Sequence, residues 1–310
     1  MFQTENIAIL MATYNGADYI KDQIQSLLDQ SYQQWDLYIH DDKSSDHTVE
    51  IIRNSYERYS PKIHIINGPK AGSAKNNFFY LMKHVSAPYY MFCDQDDVWL
   101  ESKIKKSIDT IKKAEKTAKK QVPALVFTDL KVVNQSLGVI GERMSKYQQL
   151  NPQKIEFKDL LIQNVITGCS SIINKPCAEY SLNYLDDENI IEHDWWCALI
   201  AAYFGVIDYI DEPLVLYRQH SQNSIGAKNI SDIHYDIQKL FNLHEIRRSL
   251  EQTRKQSGEF SKAFNLGKES LAYQYSKLDE LNKIERIAFY KNNKMWKSSF
   301  VRNVGLIVCG

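Results

Sequence analysis

Glycine and proline are scarce in this 310-residue chain, at 12 and 7 residues, and no proline follows Pro213. That leaves no compositional room for a flexible low-complexity linker or a collagen-like repeat. Five cysteines (Cys93, Cys169, Cys177, Cys197, Cys309) are scattered and odd in number, and none forms a C-x-x-C pair. The pattern argues for reduced thiols in a cytosolic setting and against a disulfide framework or structural zinc. Formal net charge is +0, so nothing global points to nucleic acid. The chain has no G-x-G-x-x-G after its first apolar run, which disfavours a dinucleotide oxidoreductase. It has no G-x-x-x-x-G-K-[ST] either, which disfavours a P-loop enzyme. The amino terminus shows no signal-peptide pattern, and the most apolar stretch, 198–210, is too short to span a bilayer and carries Asp208.

The first half alternates short strand-like runs with helical stretches. Strands are expected at 7–12, 35–40, 62–66, 89–93 and 124–128. Helices are expected at 18–30, through Val49, Ile51, Ile52 and Tyr56, through Phe78, Leu81 and Val85, and over 103–119, the last an exposed, lysine-rich one. Repeated strand–helix units imply an α/β fold with a mostly parallel central sheet and helices on both faces. Ligands of such sheets bind beyond the carboxyl ends of the strands. Further on, 156–163 and 195–204 read as helical, and 165–173 and 214–217 as strands. From Ser231 onward only helices are expected, which places a boundary at 226–231 and divides the chain into 1–228 and a helical region 229–310. Residues 231–310 hold 14 Lys and Arg against 9 Asp and Glu, while the first 230 hold 24 against 29.

Three polar clusters follow strands: Ala12-Thr13-Tyr14-Asn15-Gly16, Asp41-Asp42-Lys43-Ser44-Ser45-Asp46 and Asp94-Gln95-Asp96-Asp97. Each alone suits turn and cap chemistry. Three carboxylates within four residues, however, repel one another unless a cation is present, and Mg2+ or Mn2+ with diphosphate oxygens would satisfy them.

Together, in this order and spacing, the three clusters resemble family-2 glycosyltransferases of the GT-A fold over roughly residues 5–225. The resemblance implies that Thr13, Tyr14, Asn15 and Asp41 or Asp42 hold the nucleotide, and that Gly72, Lys75 and Asn76 line its site. It implies that Asp94 and Asp96 contact ribose and a divalent metal (Mn2+ or Mg2+), that His220 is a further metal ligand, and that Arg218 offsets diphosphate charge. Where the family usually has proline this chain has Ala12. On the acceptor side the match is Glu192-His193-Asp194-Trp195-Trp196, with Asp194 as the base that takes a proton from an acceptor hydroxyl. Asp97, Gly168, Cys169, Trp195 and Trp196 would line the acceptor pocket; a core role for one of the tryptophans is the competing reading.

A finer similarity, carried by Phe92–Trp99 with His193-Asp-Trp-Trp196 and Tyr217-Arg-Gln-His220, is to bacterial rhamnosyltransferases of cell-wall or capsular polysaccharide. It implies dTDP-rhamnose as donor and a lipid-linked glycan as acceptor, on the cytoplasmic face of the membrane. Trp296, Phe300, Val304 and Ile307 recur at helical spacing beside Lys291, Lys294 and Arg302, which suits a peripheral membrane surface, an oligomer or core packing equally. Two other readings stay open: a nucleotidyltransferase, weakened because residues 11–16 hold no Arg or Lys, and a catalytically silent glycan-binding scaffold on the same fold.

Overall fold

The computed structural model describes residues 6–59, 61–118, 121–184, 186–220 and 243–310. Among these described residues the centre is a mixed sheet of nine strands in the order β3-β2-β1-β4-β8-β6-β9-β5, with β7 beside β6. The strands are β1 (Ile7–Thr13), β2 (Trp35–Asp41), β3 (Ile63–Ile65), β4 (Tyr89–Asp94), β5 (Val98–Trp99), β6 (Ala124–Val133), β7 (Val139–Gly141), β8 (Ser171–Asn174) and β9 (Val206–Arg218). β1 pairs in parallel with β2 and β4, and β2 with β3. β8 runs antiparallel to both β4 and β6, and β6 is parallel to β9. The carboxyl ends of β1, β2, β4, β6 and β9 therefore share one edge with the start of β8.

β1 and β4 are apolar at every interior position because both sheet faces are covered. Ile7, Ile9 and Met11 enter one core with α1 (Ile20–Leu28) and α4 (Lys103–Ala118). Ala8, Leu10 and Phe92 enter the other with α3 (Ala74–His84) and α8 (His193–Phe204). The remaining helices are α2 (Thr48–Tyr59), α5 (Met144–Tyr147), α6 (Phe157–Leu160), α7 (Lys175–Ser181), α9 (Leu243–Ala263), α10 (Leu271–Ser276), α11 (Lys283–Asn292) and α12 (Phe300–Cys309).

Several sequence expectations are corrected here. α4 is not an exposed helix: Lys103, Ile104, Ser107, Ile108 and Ile111 form a buried stripe, with the other lysines outside. The strand expected over 165–173 begins only at Ser171, after a 3-10 turn at Gly168–Ser170. The helix expected over 156–163 shrinks to Phe157–Leu160, while the last strand extends back to Val206. The boundary at 226–231 lies outside the described residues. Leu250, Phe260, Tyr275, Tyr290 and Leu306 from the helical region join the same core cluster as Trp196 and Leu199.

Candidate active site

The loop after β1 is held by the loop after β2. Thr13 Oγ1 donates to Asp41 Oδ2 at 2.9 Å, and Ser44 caps Asp41 through both its N–H (2.8 Å) and its hydroxyl (2.6 Å). Asn15 is in the left-handed region at φ 48°, with its N–H on Ser44 Oγ at 2.8 Å. Asp42 is buried and accepts the N–H groups of Ala71 and Gly72, so it fixes the 67–73 loop, where Gly72 has φ 81°. Tyr14 stays half exposed, with Lys70 Nζ 5.6 Å from its ring centroid.

The loop after β4 is tied to the same place by Gln95. Its Oε1 accepts the Tyr14 N–H at 2.9 Å and its Nε2 donates to the Tyr14 carbonyl at 2.8 Å. A Cβ at Gly16 would come within 2.2 Å of that amide, so the glycine makes room for the clamp. Asp94 closes β4, and burial followed by the charge on Asp96 pushes its carboxyl up to about 7. Asp96 Oδ2 meets His220 Nε2 at 2.8 Å. The His220 ring stacks on Tyr19, centroids 4.6 Å apart, and the Arg218 guanidinium lies 4.9 Å from the same ring.

Asp97 is fully buried. Its Oδ1 accepts the Arg218 N–H at 3.0 Å, its Oδ2 finds no hydrogen-bond partner, and burial followed by Asp96 raises its pKa well above the carboxylate range. Beneath it Lys103 is also fully buried, 3.4 Å over the Trp99 ring, with no hydrogen-bond partner. Burial brings that amine down to about 7, opposed by Cys169, Cys93 and Asp97.

On the far side Asp194 stands in the first turn of α8. Its Oδ2 accepts the Gly168 N–H at 2.7 Å and its Oδ1 the Asn164 amide at 3.3 Å. Burial, then the charge on Glu192, pushes Asp194 up to about 8, against hydrogen bonds from Gly168 and Trp195 and with a further push from Asp94. His193 is wedged between Phe78 (4.2 Å) and Phe92 (4.6 Å) with neither ring nitrogen bonded, and burial takes its pKa down to about 3. Asp129 is buried within β6 and accepts the Ser145 hydroxyl at 2.6 Å and the Tyr209 phenol at 3.2 Å. A cavity of about 20 Å³ between Asp129, Ser145, Thr167 and Tyr209 has room for about one water.

These contacts bring Thr13, Tyr14, Asn15, Asp41, Asp94, Asp96 and His220 to one sheet edge, with Asp194 across from them. Other expected site residues go elsewhere. Trp196 is fully buried, donates to the Ser181 carbonyl at 3.0 Å and packs edge-on against Phe260, so it cannot stack on an acceptor sugar. Trp195 is half-buried and spends its N–H on the Leu160 carbonyl. Cys169 is closed off from any sugar at 1% exposure, and Gly168 spends its N–H on Asp194. Lys75 is directed at the carbonyls of Asp187 and Ile190 instead of an open nucleotide site. Arg218 gives its guanidinium to Asp22 Oδ2 (2.9 Å) and the carbonyls of Gln135 and Asp96, so its charge is already balanced within the protein. Asn76 has its Oδ1 buried without a partner near Ala71. Sequence reasoning missed Gln95, Tyr19, Asn164 and Lys103; only Gln95, between two motif aspartates, carried a signal in its position.

Among the described residues one group of three donors lies close enough to share a cation. Asp94, Asp97 and Cys169 offer ligand atoms within 4.8 Å of one another, but burial followed by Asp97 keeps the Cys169 thiol protonated. A protonated thiol suits a hard cation poorly. Asp96, 2.8 Å from His220 and near enough to Asp94 and Asp97 for its charge to raise both, offers carboxylate oxygen, the donor that Mn2+ or Mg2+ prefers.

Residues 8–179 match the family described as Glycosyl transferase family 2. The chain is 32% identical to the dTDP-rhamnosyl transferase RfbG of Shigella flexneri over 233 residues, covering 71% of this chain and 75% of that one. It is 28% identical to the putative teichuronic acid biosynthesis glycosyltransferase TuaG of Bacillus subtilis, over 54% of this chain and 61% of TuaG. Among solved structures, S. aureus TarS 1–349 in complex with UDP-GlcNAc superposes with a TM-score of 0.52 at 14% identity, over 92% of this chain and 79% of that one. That likeness carries the fold, a GT-A α/β sheet with additional carboxyl-terminal helices.

Proposed function

The chain belongs to glycosyl transferase family 2, and from that premise we propose that it is an inverting, metal-dependent rhamnosyltransferase. In this reading it moves L-rhamnose from dTDP-rhamnose to a lipid-linked glycan, in cell-wall or capsule synthesis at the cytoplasmic face of the membrane. The rhamnose assignment draws on the relative named a dTDP-rhamnosyl transferase.

The observation that carries the reading is the pairing across one sheet edge of a half-buried acid, Asp194, with the carboxylate group at 94–97. Asp194 is held in place by Gly168 and Asn164 and feels the charge of Asp94. That arrangement suits a base taking the acceptor hydroxyl proton while the sugar C1 is attacked from the face opposite the departing diphosphate. Asp94, Asp96 and His220 would hold the cation, which when bound neutralises diphosphate charge. Asp41 orients Thr13, and Asp42 fixes the Gly72 loop, so the nucleotide meets a preformed edge.

The test is donor hydrolysis by the purified protein with dTDP-, UDP- and GDP-sugars and Mn2+ or Mg2+, beside an Asp96→Ala variant. Release of dTDP from dTDP-rhamnose alone, lost in that variant, supports donor and metal together. Turnover of a UDP-sugar instead keeps the transferase and sinks the rhamnosyl assignment.

A further inference from the structure

In α12 the apolar side faces outward. Gly305, Leu306 and Cys309 are buried, while Phe300, Ile307 and Val308 are 82%, 37% and 42% exposed, with Val304 half-buried among them. On a helical projection those four outward residues fall within an arc of about 100°. A surface helix ordinarily presents polar residues there. Arg286 Nη1 donates to the Gly310 carbonyl at 3.0 Å, so α11 starts beside the end of α12, and Ile284 on it is 81% exposed. No helix among the described residues is long and apolar enough to cross a membrane.

Two further observations select the occupant. Residues 283–310 contain six basic side chains (Lys283, Arg286, Lys291, Lys294, Lys297, Arg302) and one acidic, Glu285; of these Lys283, Lys291 and Lys294 are exposed. The helix is also docked on the acceptor side. Arg302 donates to the carbonyls of Gln148 (2.8 Å) and Gln149 (3.1 Å), and the Ser298 N–H to Gln163 Oε1 (2.7 Å). The next residue, Asn164, holds Asp194.

We propose that the outward face of α12, with Ile284 and the surrounding lysines, is a surface that lies on an anionic bilayer and brings the acceptor side of the site to the membrane. Its apolar residues enter the headgroup boundary and its cations face acidic lipid headgroups. The purpose of this surface rests on the lipid-linked acceptor reading; the apolar face and its charge do not.

Flotation of the full chain with phosphatidylcholine vesicles, with and without phosphatidylglycerol, tests it. The wild type is expected to float with phosphatidylglycerol vesicles, to be released by high salt, and to float at least about fivefold less as the double variant Phe300→Gln, Ile307→Gln. Both changes are at exposed positions, and an unchanged thermal midpoint verifies folding. Failure of the wild type to float, or equal flotation of the folded double variant, overturns the proposal. So does a concentration-dependent dimer that the variant breaks while vesicles are ignored, since the face would then belong to a second copy. Donor hydrolysis measured on the same preparations is independent: its absence counts against the transferase reading and leaves the flotation result standing.

Discussion

Asp194 carries its proton at neutral pH in the free protein, because burial and Glu192 outweigh the N–H groups aimed at it. A base must be ionised to act, so turnover is expected to climb with pH and level off near the folded pKa of about 8, or lower if a cation binds at the neighbouring carboxylates. Asp194→Asn should lower turnover roughly 10²–10⁴-fold while calorimetry finds donor affinity nearly unchanged. An equal loss of donor binding would move Asp194 out of the base role. His193 has the opposite sign. Its folded pKa of about 3 lies below the ordinary 6.5, so the stability it contributes is present above 6.5 and is lost as pH falls toward 3. By pH 4.5 the loss is about 2–3 kcal/mol, and His193→Leu should flatten that limb in urea titrations at pH 7 and 4.5. An unchanged limb would mean that the ring escapes its slot between Phe78 and Phe92 and charges freely.

The loops after β1 and β4 behave as one unit because Gln95 grips the Tyr14 peptide at both its N–H and its carbonyl. Gln95→Ala removes two hydrogen bonds of about 1 kcal/mol each, and donor KM is expected to rise roughly tenfold with the metal requirement retained. A change in kcat alone would place Gln95 in the chemical step. Most elements of the parallel half were legible, since β1 and β4 are apolar runs closed by Thr13 and Asp94, and β2 places Trp35, Leu37 and Ile39 at alternate positions before Asp41. β8 was legible only in part: it is four residues long, antiparallel, and preceded by a 3-10 turn that blurs where it starts. The aspartates of the site were legible as a pattern because like charges in a row demand a reason. The roles of Trp196, Cys169 and Arg218 were not, because exposure and partner choice are fixed by packing between elements far apart in the chain. Lys103 shows the same limit. In a run of lysines nothing local marks the one that packs inside over Trp99, within reach of the Asp97 carboxylate.

At the scale of the whole chain, the carboxyl-terminal helices are built into the core that supports the site. Phe260 of α9 meets Trp196 at 5.5 Å, Phe157 at 5.1 Å and Tyr203 at 5.5 Å, and Gln256 Oε1 accepts the Ile191 N–H at 2.8 Å just before α8 begins. Glu259 Oε1 likewise accepts the Asp186 N–H at 3.0 Å. The segment that presents Glu192 and Asp194 is thus pinned from outside the stretch that matches the family. Phe260→Ala should cost about 3–5 kcal/mol in denaturant unfolding, by lost burial plus the cavity left beside Trp196. Removal of residues 243–310 should do more than subtract a membrane contact. It uncovers Trp196 and Phe204 and frees the 186–192 segment, so the truncated chain is expected to aggregate or to lose donor hydrolysis along with flotation. The two point variants in α12 should lose flotation alone. A truncated chain that stays monomeric, unfolds cooperatively and hydrolyses donor at the full rate would instead make residues 243–310 a detachable membrane module, and the buried ring cluster around Phe260 a contact without structural weight.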